Sequence, residues 1–202
     1  MAGDARTSGG DGARRRHNRP GPAWLPGDPH GHALIDRIVR VDHAGEYGAV
    51  RIYAGQLAVL GRDRAAGPEI RRMAEQEARH LKTFERLVVE RRARPTALLP
   101  LWHAAGYALG AATALMGDRA AMACTVAVEE AIDEHYAGQA KALEALPEEA
   151  ALRQVVEEFR ADELAHRETA LAHGAEQAPG YPVLSAAIKA GSRLAIWLSE
   201  RI

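Results

Sequence analysis

The sequence predicts an all-α protein built around a four-helix bundle, and three observations lead to this prediction. Alanine, leucine and charged residues dominate the chain, whereas alternating runs of β-branched residues are scarce, a composition typical of long helices. From residue 32 onward, apolar residues recur at helical spacing in segments bounded by glycine or proline. Four of these segments are long enough to pack together as a bundle.

The chain before residue 32 has a different character. Residues 1–31 are rich in Gly, Arg, Asp and Pro and have no apolar period, so we predict a disordered tail. Asp4 and Asp11 are unlike an organelle transit peptide, and no apolar stretch marks a secretory signal. We expect residues 32–202 to form a single domain with a sizeable core.

The first two helices are predicted from amphipathic segments. One apolar stripe begins near residue 32, carries Tyr53, and ends at Gly61, and a second begins after Pro68 and carries Phe84. The next segment, residues 101–117, contains no charged residue. We expect this third segment to connect the two halves of the bundle.

Three further helices complete the prediction. The fourth is expected to run from Asp118, as its N-cap, to about Ala145. Pro147 opens the fifth, and Pro182 opens an amphipathic helix at the C-terminus. The two helices outside the bundle are thus the uncharged third segment and this last one.

Charge and cysteine content exclude several classes of function. The 26 Lys and Arg nearly cancel the 27 Asp and Glu, so no overall field recruits nucleic acid. The single Cys124 forms no intrachain disulfide and no cysteine-rich metal cluster, which fits a reducing compartment. We expect Cys124 to be a small buried apolar residue.

An internal repeat joins the two halves of the chain. Residues 46–56 read EYGAVRIYAGQ and residues 129–139 read EEAIDEHYAGQ. Glu46 and Glu129 stand 83 residues apart, as do Tyr53 and Tyr136. Two copies aligned without a gap indicate an internal duplication.

Each copy is followed by Glu-x-x-His on the next predicted helix. The two motifs are Glu77-Ala-Arg-His80 and Glu163-Leu-Ala-His166. Positions i and i+3 share a helix face, so a carboxylate and an imidazole at this spacing can converge on one ion. One such motif is weak evidence, but two of them, each on an apolar stripe, predict a metal site, because ionisable groups on an apolar face need partners.

The predicted ligand set follows from the repeat. The offset selects Glu129 over its neighbour Glu130, which points about 100° away around the helix and is expected to be a surface group or a partner of a ligand. The predicted metal ligands are Glu46, Glu77, His80, Glu129, Glu163 and His166. Carboxylate and imidazole donors suit iron or manganese, and four carboxylates would neutralise two divalent ions.

The roles of neighbouring polar residues remain open at this stage. Tyr53 and Tyr136 lie two turns after the lone glutamates, where core packing and catalysis explain them equally well, and the Ala-Gly pairs that follow would allow close helix packing. Asp42 is a candidate partner for a ligand, whereas His43 and His135 also fit solvated positions.

Longer strings resemble one family. VDHAGEYGAVRIYAGQ (41–56), EARHLKTF (77–84), CTVAVEEAIDEHYAGQ (124–139), FRADELAH (159–166) and LAIWLSERI (194–202) resemble the demethoxyubiquinone hydroxylases of ubiquinone biosynthesis. These are members of the ferritin-like di-iron superfamily, so the resemblance implies a ferritin-like four-helix bundle. It covers residues 32–202 and leaves the tail unmatched.

The resemblance implies a metal arrangement and a reaction. One iron would be held by Glu46, Glu77 and His80, and the other by Glu129, Glu163 and His166, with Glu77 and Glu163 bridging. The centre would use O2 to hydroxylate the ring of a polyprenylated methoxy-methyl-benzoquinol, the penultimate step towards ubiquinone. NADH would supply electrons through the quinone, a step associated with the pair His135-Tyr136. No glycine-rich dinucleotide fingerprint is present, so no dedicated nicotinamide domain is expected.

A polyprenyl substrate implies contact with a membrane. Residues 101–116 are uncharged but too short to span a bilayer, and their Gly106 and Gly110 form a close-packing pattern. The C-terminal helix resembles an interfacial amphipathic helix. Packing of either segment in the core or in a homodimer remains the alternative. We expect a peripheral protein on the cytoplasmic face of a bacterial plasma membrane, or on the matrix face of a mitochondrial inner membrane. A lipid-presenting partner is left open.

Two other functions fit the same ligands. One is a ferritin-type bundle that handles iron without acting as an enzyme, although the two apolar segments argue against the soluble exterior of a cage. The other is a di-manganese enzyme resembling catalase.

Overall fold

The computed structural model describes residues 31–61 and 64–202 and contains six α-helices there. They are α1 (His32–Leu60), α2 (Gly67–Arg91), α3 (Leu99–Leu115), α4 (Asp118–Leu143), α5 (Ala150–Ala172) and α6 (Tyr181–Ser199), with 3-10 turns at Pro147–Glu149 and Ala175–Gln177. No strand occurs in these ranges, which confirms the all-α prediction. Apart from Gly31, the predicted tail at 1–31 lies outside the described residues, and the domain boundary stays a prediction.

The start of α4 differs from the prediction. Gly117, not Asp118, is the N-cap, and its φ of 106° belongs to the left-handed region that favours glycine. Asp118 is the first helical residue, and its carboxylate accepts a hydrogen bond from the backbone N–H of Ala66 (3.4 Å) and pairs with Arg64 (3.8 Å). Asp118 therefore ties the turn before α2 to the start of α4.

The bundle consists of the hairpins α1–α2 and α4–α5. Its buried apolar residues form two main clusters. The Met73 cluster includes Tyr53, Leu60, Ile70, Met73, Met122, Val126 and Ala170, and the Phe84 cluster includes Ile35, Ile38, Phe84, Tyr136, Leu152, Val156 and Phe159. Along each of the four helices, the predicted ligands lie between residues of one cluster and residues of the other. The polar centre is thus enclosed by an apolar layer at either end.

Each hairpin is followed by a helix that packs on its own half. α3 lies along α1, and α6 lies mainly along α4. Pro100 in the first turn of α3 and Pro182 in the first turn of α6 stand 82 residues apart, close to the offset of the repeat. This arrangement agrees with the prediction of a duplicated helical hairpin and two additional helices.

α1 and α3 cross at very short range. A Cβ atom on Gly55 would overlap the carbonyl oxygen of Tyr107, one on Gly110 would overlap that of Ile52, and one on Gly106 would lie 2.9 Å from the carbonyl oxygen of Gly48. The predicted close-packing pattern at Gly106 and Gly110 is confirmed. The opposite side of α3 is exposed at Leu101, Tyr107 and Leu115.

Gly138, the counterpart of Gly55 in the second copy of the repeat, does not lie at a close helix crossing. A Cβ atom on Gly138 would meet no other atom within 4 Å, so the prediction of close packing is wrong for the second Ala-Gly pair. Gly138 lines an open polar cleft of about 270 Å³ between α1 and α4, because α6 packs on α4 elsewhere.

Two further observations concern Cys124 and the length of the helices. Cys124 is fully buried, as predicted, and burial raises the pKa of its thiol to about 12. Within the part of the chain that the structure describes, no helix is both long enough and apolar enough to cross a membrane.

Candidate metal centre

Four helices bring all six predicted side chains to the middle of the bundle. α1 supplies one glutamate, α4 supplies another, and α2 and α5 each supply Glu-x-x-His. None of these residues is more than 4% exposed: Glu46, Glu77, His80, Glu129, Glu163 and His166. Their position follows from the helical stripes on which the sequence places them.

The potential ligand atoms form two overlapping groups. Within each group the atoms lie within 4.8 Å of one another, and the groups are Glu46, Glu77, His80 and Glu163, here the His80 group, and Glu77, Glu129, Glu163 and His166, here the His166 group. Glu77 and Glu163 belong to both. A carboxylate shared by two adjacent sites is in the position of a bridging ligand.

Each histidine turns its Nδ1 atom towards the carboxylates. His80 Nδ1 lies 3.2 Å from Glu163 and 3.6 Å from Glu46. His166 Nδ1 lies 3.0 Å from Glu77 and 3.1 Å from Glu163. His80 therefore faces the shared glutamate of α5 and the lone glutamate of α1, whereas His166 faces both shared glutamates.

The outer nitrogen of each histidine contacts a residue that sequence reasoning missed. His80 Nε2 lies 3.0 Å from Asp162 Oδ2, and His166 Nε2 lies 3.2 Å from Gln76 Oε1. Such partners orient histidine ligands in metal sites. A signal was available in the sequence, since both residues immediately precede the shared glutamates, Glu77 and Glu163.

The two tyrosines of the repeat cross between the halves. Tyr53 of the first copy donates a hydrogen bond to Glu129 of the second (3.0 Å), and Tyr136 of the second copy donates one to Glu46 of the first. Both tyrosines are 2% exposed. The repeated Tyr is therefore a hydrogen-bond donor to the lone glutamate of the other half.

Burial and mutual repulsion perturb the carboxyl groups. Burial, followed by the charge of Glu163, raises the pKa values of Glu77 and Glu129 well above their ordinary value, and burial raises that of Glu46. Glu163 behaves oppositely: burial would raise its pKa, but the imidazoles of His166 and His80 beside it lower it to about 2.

The imidazole of His80 is correspondingly basic. Burial alone would lower the pKa of His80, but Glu163 and Glu46 raise it to about 10. Several buried carboxylates cannot all be ionised unless their negative charge is compensated. Protons bound to these groups provide that compensation, as a cation between them would.

Unpartnered atoms show that the residues fit a metal. Among the described residues, Glu129 Oε2 finds no hydrogen-bond partner, and His80 Nδ1 forms no hydrogen bond of good geometry despite the carboxylates around it. Buried polar atoms are normally satisfied. Oxygen and imidazole donors converging on a common point are the ligands that iron and manganese take.

The structure distinguishes Glu129 from Glu130. Glu129 points into the centre, whereas Glu130 pairs on the outside with Lys189 and with Arg167 (3.4 Å). Glu130 is thus a surface group, which is one of the two positions that the sequence analysis predicts for it. Ligation by Glu129 stays a prediction.

Asp42, His43 and His135 differ in their contacts and in their exposure. Asp42 is buried but contacts no predicted ligand: it accepts a hydrogen bond from Gln139 (2.7 Å) and lies 3.4 Å from His135 Nε2. His43 is 7% exposed, so its solvated alternative is wrong. The His135 side chain, at 16% exposed, lines the polar cleft next to Gly138.

An apolar cavity of about 310 Å³ lies beside the centre, between α1, α3, α4 and α6. Gly48 and Gly45, which precedes Glu46 in the chain, form part of its α1 wall, and Val128, which precedes Glu129, forms part of its α4 wall. A Cβ atom on either glycine would meet nothing within 4 Å. The cavity therefore borders faces of α1 and α4 that lie next to those carrying the lone glutamates, and none of the six predicted ligands lines it.

Comparison with known proteins gives a consistent result. A family model described as "Ubiquinone biosynthesis protein COQ7" matches residues 33–199. The chain is 61% identical over 178 residues to the 3-demethoxyubiquinol 3-hydroxylase of Rhodospirillum rubrum, covering 88% of this chain and 83% of that protein. It is 57% identical over 172 residues to the human NADPH-dependent 3-demethoxyubiquinone 3-hydroxylase, mitochondrial (84% and 79% covered).

A more distant relative is the 5-demethoxyubiquinone hydroxylase, mitochondrial, of Saccharomyces cerevisiae, which is 43% identical over 184 residues and is covered to 79% of its length. The match spans α1 to α6 and includes both Glu-x-x-His motifs. The chain therefore belongs to the COQ7 family of ubiquinone biosynthesis proteins.

Proposed function

We propose that the protein is an O2-dependent di-iron monooxygenase that hydroxylates the ring of a polyprenylated methoxy-methyl-benzoquinol, demethoxyubiquinol. The observation that carries this proposal is the pair of overlapping carboxylate and histidine groups that share Glu77 and Glu163. The names of the relatives, which are demethoxyubiquinol or demethoxyubiquinone hydroxylases, support the reaction. This reaction would be the penultimate step of ubiquinone biosynthesis.

The proposed ligands divide between the two groups. Glu46 and His80 would belong to one iron, Glu129 and His166 to the other, and Glu77 and Glu163 to both. Iron bound there supplies the activation of O2. The protein itself holds the carboxylates in place: Tyr136 and Tyr53 each fix a lone glutamate, and the apolar clusters on either side exclude water.

The apolar cavity is proposed as the quinol site. Its walls are mostly aliphatic and small residues, which suits a ring that carries an isoprenoid tail. The side chain of Trp102 borders the cavity and donates a hydrogen bond to Ser199 Oγ (3.0 Å). Gly45 and Gly48 allow a flat ring to approach the α1 backbone beside Glu46.

The reductant is proposed to be a nicotinamide nucleotide. The sequence analysis expects NADH, whereas the mammalian relatives are named as NADPH-dependent, so each should be supplied separately. His135 and Tyr136 are proposed to assist electron transfer to, or contact with, the substrate. In support, Tyr136 contacts Glu46 and His135 lines an open cleft.

The protein is proposed to bind the surface of a membrane through α3 and α6. Large apolar side chains are exposed on these helices or directly after them: Leu101, Leu115, Met116, Val183, Leu194 and Trp197. Arg201 stacks over the Trp197 ring (4.3 Å), a combination suited to a lipid headgroup region. The same helices border the quinol cavity, so a membrane-dissolved substrate could enter from the bilayer.

The side of the membrane belongs to the same proposal: the cytoplasmic face in a bacterium, or the matrix face in a mitochondrion. The names of the eukaryotic relatives include the word mitochondrial. A second copy of the chain and a lipid-presenting partner are the other candidates for contact with these apolar helices.

A matched pair of variants tests the function. Purified protein is analysed for iron and manganese and then assayed with reductant, O2 and a demethoxyquinone. We expect one iron for each of the two groups and a hydroxylated product. Glu129→Ala should lose activity and the metal ion of the His166 group, whereas Glu130→Ala, which removes an outward-facing carboxylate, should retain its full metal content and its activity.

The alternatives predict other outcomes. A di-manganese enzyme would contain manganese, and a ferritin-type protein would take up iron without hydroxylating the quinone. Either result would overturn the proposed function. Loss of metal in Glu130→Ala but not in Glu129→Ala would show that the repeat was misaligned.

A further inference from the structure

The two halves of the centre supply the same kinds of ligand but differ in the outer partners of their histidines. Each half supplies a lone glutamate, a shared glutamate, a histidine and a tyrosine that crosses to the other half. The residue before the shared glutamate is Gln76 in the first half and Asp162 in the second. These two residues contact the outer nitrogens of the histidines, so His80 and His166 have unlike partners.

The partner of His80 is a carboxylate. Asp162 Oδ2 lies 3.0 Å from His80 Nε2, and an ionised carboxylate only accepts hydrogen bonds. With Asp162 as acceptor, the proton of His80 is held on Nε2, so Nδ1 is the nitrogen that can offer a lone pair to a metal ion among the carboxylates. A negatively charged acceptor strengthens this hydrogen bond and makes the imidazole a better electron donor.

The partner of His166 is a neutral amide that a cation also holds. Arg72 Nη1 donates to Gln76 Oε1 at 2.8 Å, and since arginine only donates, the atom facing it must be the amide oxygen. The same oxygen lies 3.2 Å from His166 Nε2. An amide oxygen shared with a guanidinium is a weaker hydrogen-bond acceptor than a carboxylate, so it increases the electron-donating strength of the His166 imidazole less.

We propose that the His80 group binds a divalent metal more tightly than the His166 group, and that Asp162 and Gln76 set this difference as positioning residues. The inference rests on the proposed metal-binding function. The tyrosine contacts do not supply the difference, because each lone glutamate accepts one tyrosine hydrogen bond. The shared glutamates do not supply it either, because they belong to both groups.

The test measures each group separately with Co²⁺ alone. Glu129→Ala in the full-length chain leaves the His80 group intact, and Glu46→Ala leaves the His166 group intact. Co²⁺ affinity is measured by calorimetry and by the visible spectrum of the bound ion. We expect tighter binding in Glu129→Ala than in Glu46→Ala.

Isosteric exchanges then identify the cause. Asp162→Asn should weaken Co²⁺ binding by about 10- to 100-fold in the His80 group and shift its spectrum, as loss of a histidine partner does in other sites. It should leave the His166 group unchanged. Gln76→Glu should strengthen the His166 group only. Glu158→Gln removes an exposed charge one turn from Asp162 on α5 and should change neither affinity.

The outcomes separate this inference from the proposed function. Equal Co²⁺ affinities in the two single-group variants, or an equal effect of Asp162→Asn on both groups, would overturn the inference and leave the metal centre standing. An equal effect of Glu158→Gln would also overturn it, because long-range charge would then be the cause. Wild-type protein that binds neither iron nor Co²⁺ would overturn both.

Discussion

Replacing Gly55 by alanine should destabilise the protein, whereas the same change at Gly138 should not. The two glycines occupy the same place in the repeated Tyr-Ala-Gly-Gln, but only Gly55 lies where α1 crosses α3. A Cβ atom there would overlap the Tyr107 carbonyl oxygen and lie 2.8 Å from the amide nitrogen of Ala111. A Cβ atom on Gly138 would meet nothing within 4 Å.

The magnitude follows from two opposing contributions. Alanine stabilises a helix relative to glycine by about 0.5–1 kcal/mol, and this gain is common to both variants. Ordinary contacts begin near 3.4 Å, so at the Ala111 nitrogen alone the new Cβ is 0.6 Å too close. Overpacking of this kind costs about 1–3 kcal/mol. The common gain cancels, so the free energies of unfolding should differ by about 1–3 kcal/mol.

Urea unfolding followed by circular dichroism measures this difference, and thermal unfolding gives a second reading of about 2–4 °C per kcal/mol for a chain of this size. Gly138→Ala should be as stable as the wild type or more stable. If Gly55→Ala proved as stable as Gly138→Ala, the close crossing of α1 and α3 would be refuted, and with it the described wall of the apolar cavity.

Three further predictions concern the centre and the cavity. Tyr136→Phe removes the hydrogen bond to Glu46, so Co²⁺ affinity of the His80 group should fall by about 10- to 100-fold, with the His166 group as internal control in the same titration. The pKa values of Glu77 and Glu129 are raised, so these groups hold protons in metal-free protein. Metal binding should therefore release protons and strengthen as pH rises, which calorimetry in buffers of different ionisation enthalpy detects; an affinity independent of pH would contradict it. Gly45→Leu places a side chain in the cavity, so metal content should persist while KM for the quinol rises, and an unchanged KM would argue against the cavity as substrate site.

The helices and the converging side chains could be predicted because they depend on local periodicity. Each ligand candidate lies on an apolar stripe, and a stripe of helical period must face the core. The repeat then separated Glu129 from Glu130 without any knowledge of the fold. The structure gives the positions of the six side chains, and metal binding by them is a proposal.

Contacts between helices could not be predicted in the same way. Gly55 and Gly138 stand in identical tetrapeptides, and only the different placement of α3 and α6 makes one crowded and the other open. The hydrogen bonds of Asp162 and Gln76 run between α2 and α5, so they depend on how these helices are rotated relative to each other. His43 likewise reads as a polar residue on a helix, but its position in the bundle buries it.

The most direct test of the central claim is isotopic. Iron-loaded protein is supplied with a demethoxyubiquinol in lipid vesicles, a nicotinamide reductant and ¹⁸O2, and the product is analysed by mass spectrometry. The account predicts a hydroxylated quinol whose new oxygen comes from ¹⁸O2, formed by Glu130→Ala but not by Glu129→Ala. A product that carries no label, or labelled product formed equally well by Glu129→Ala, would contradict it.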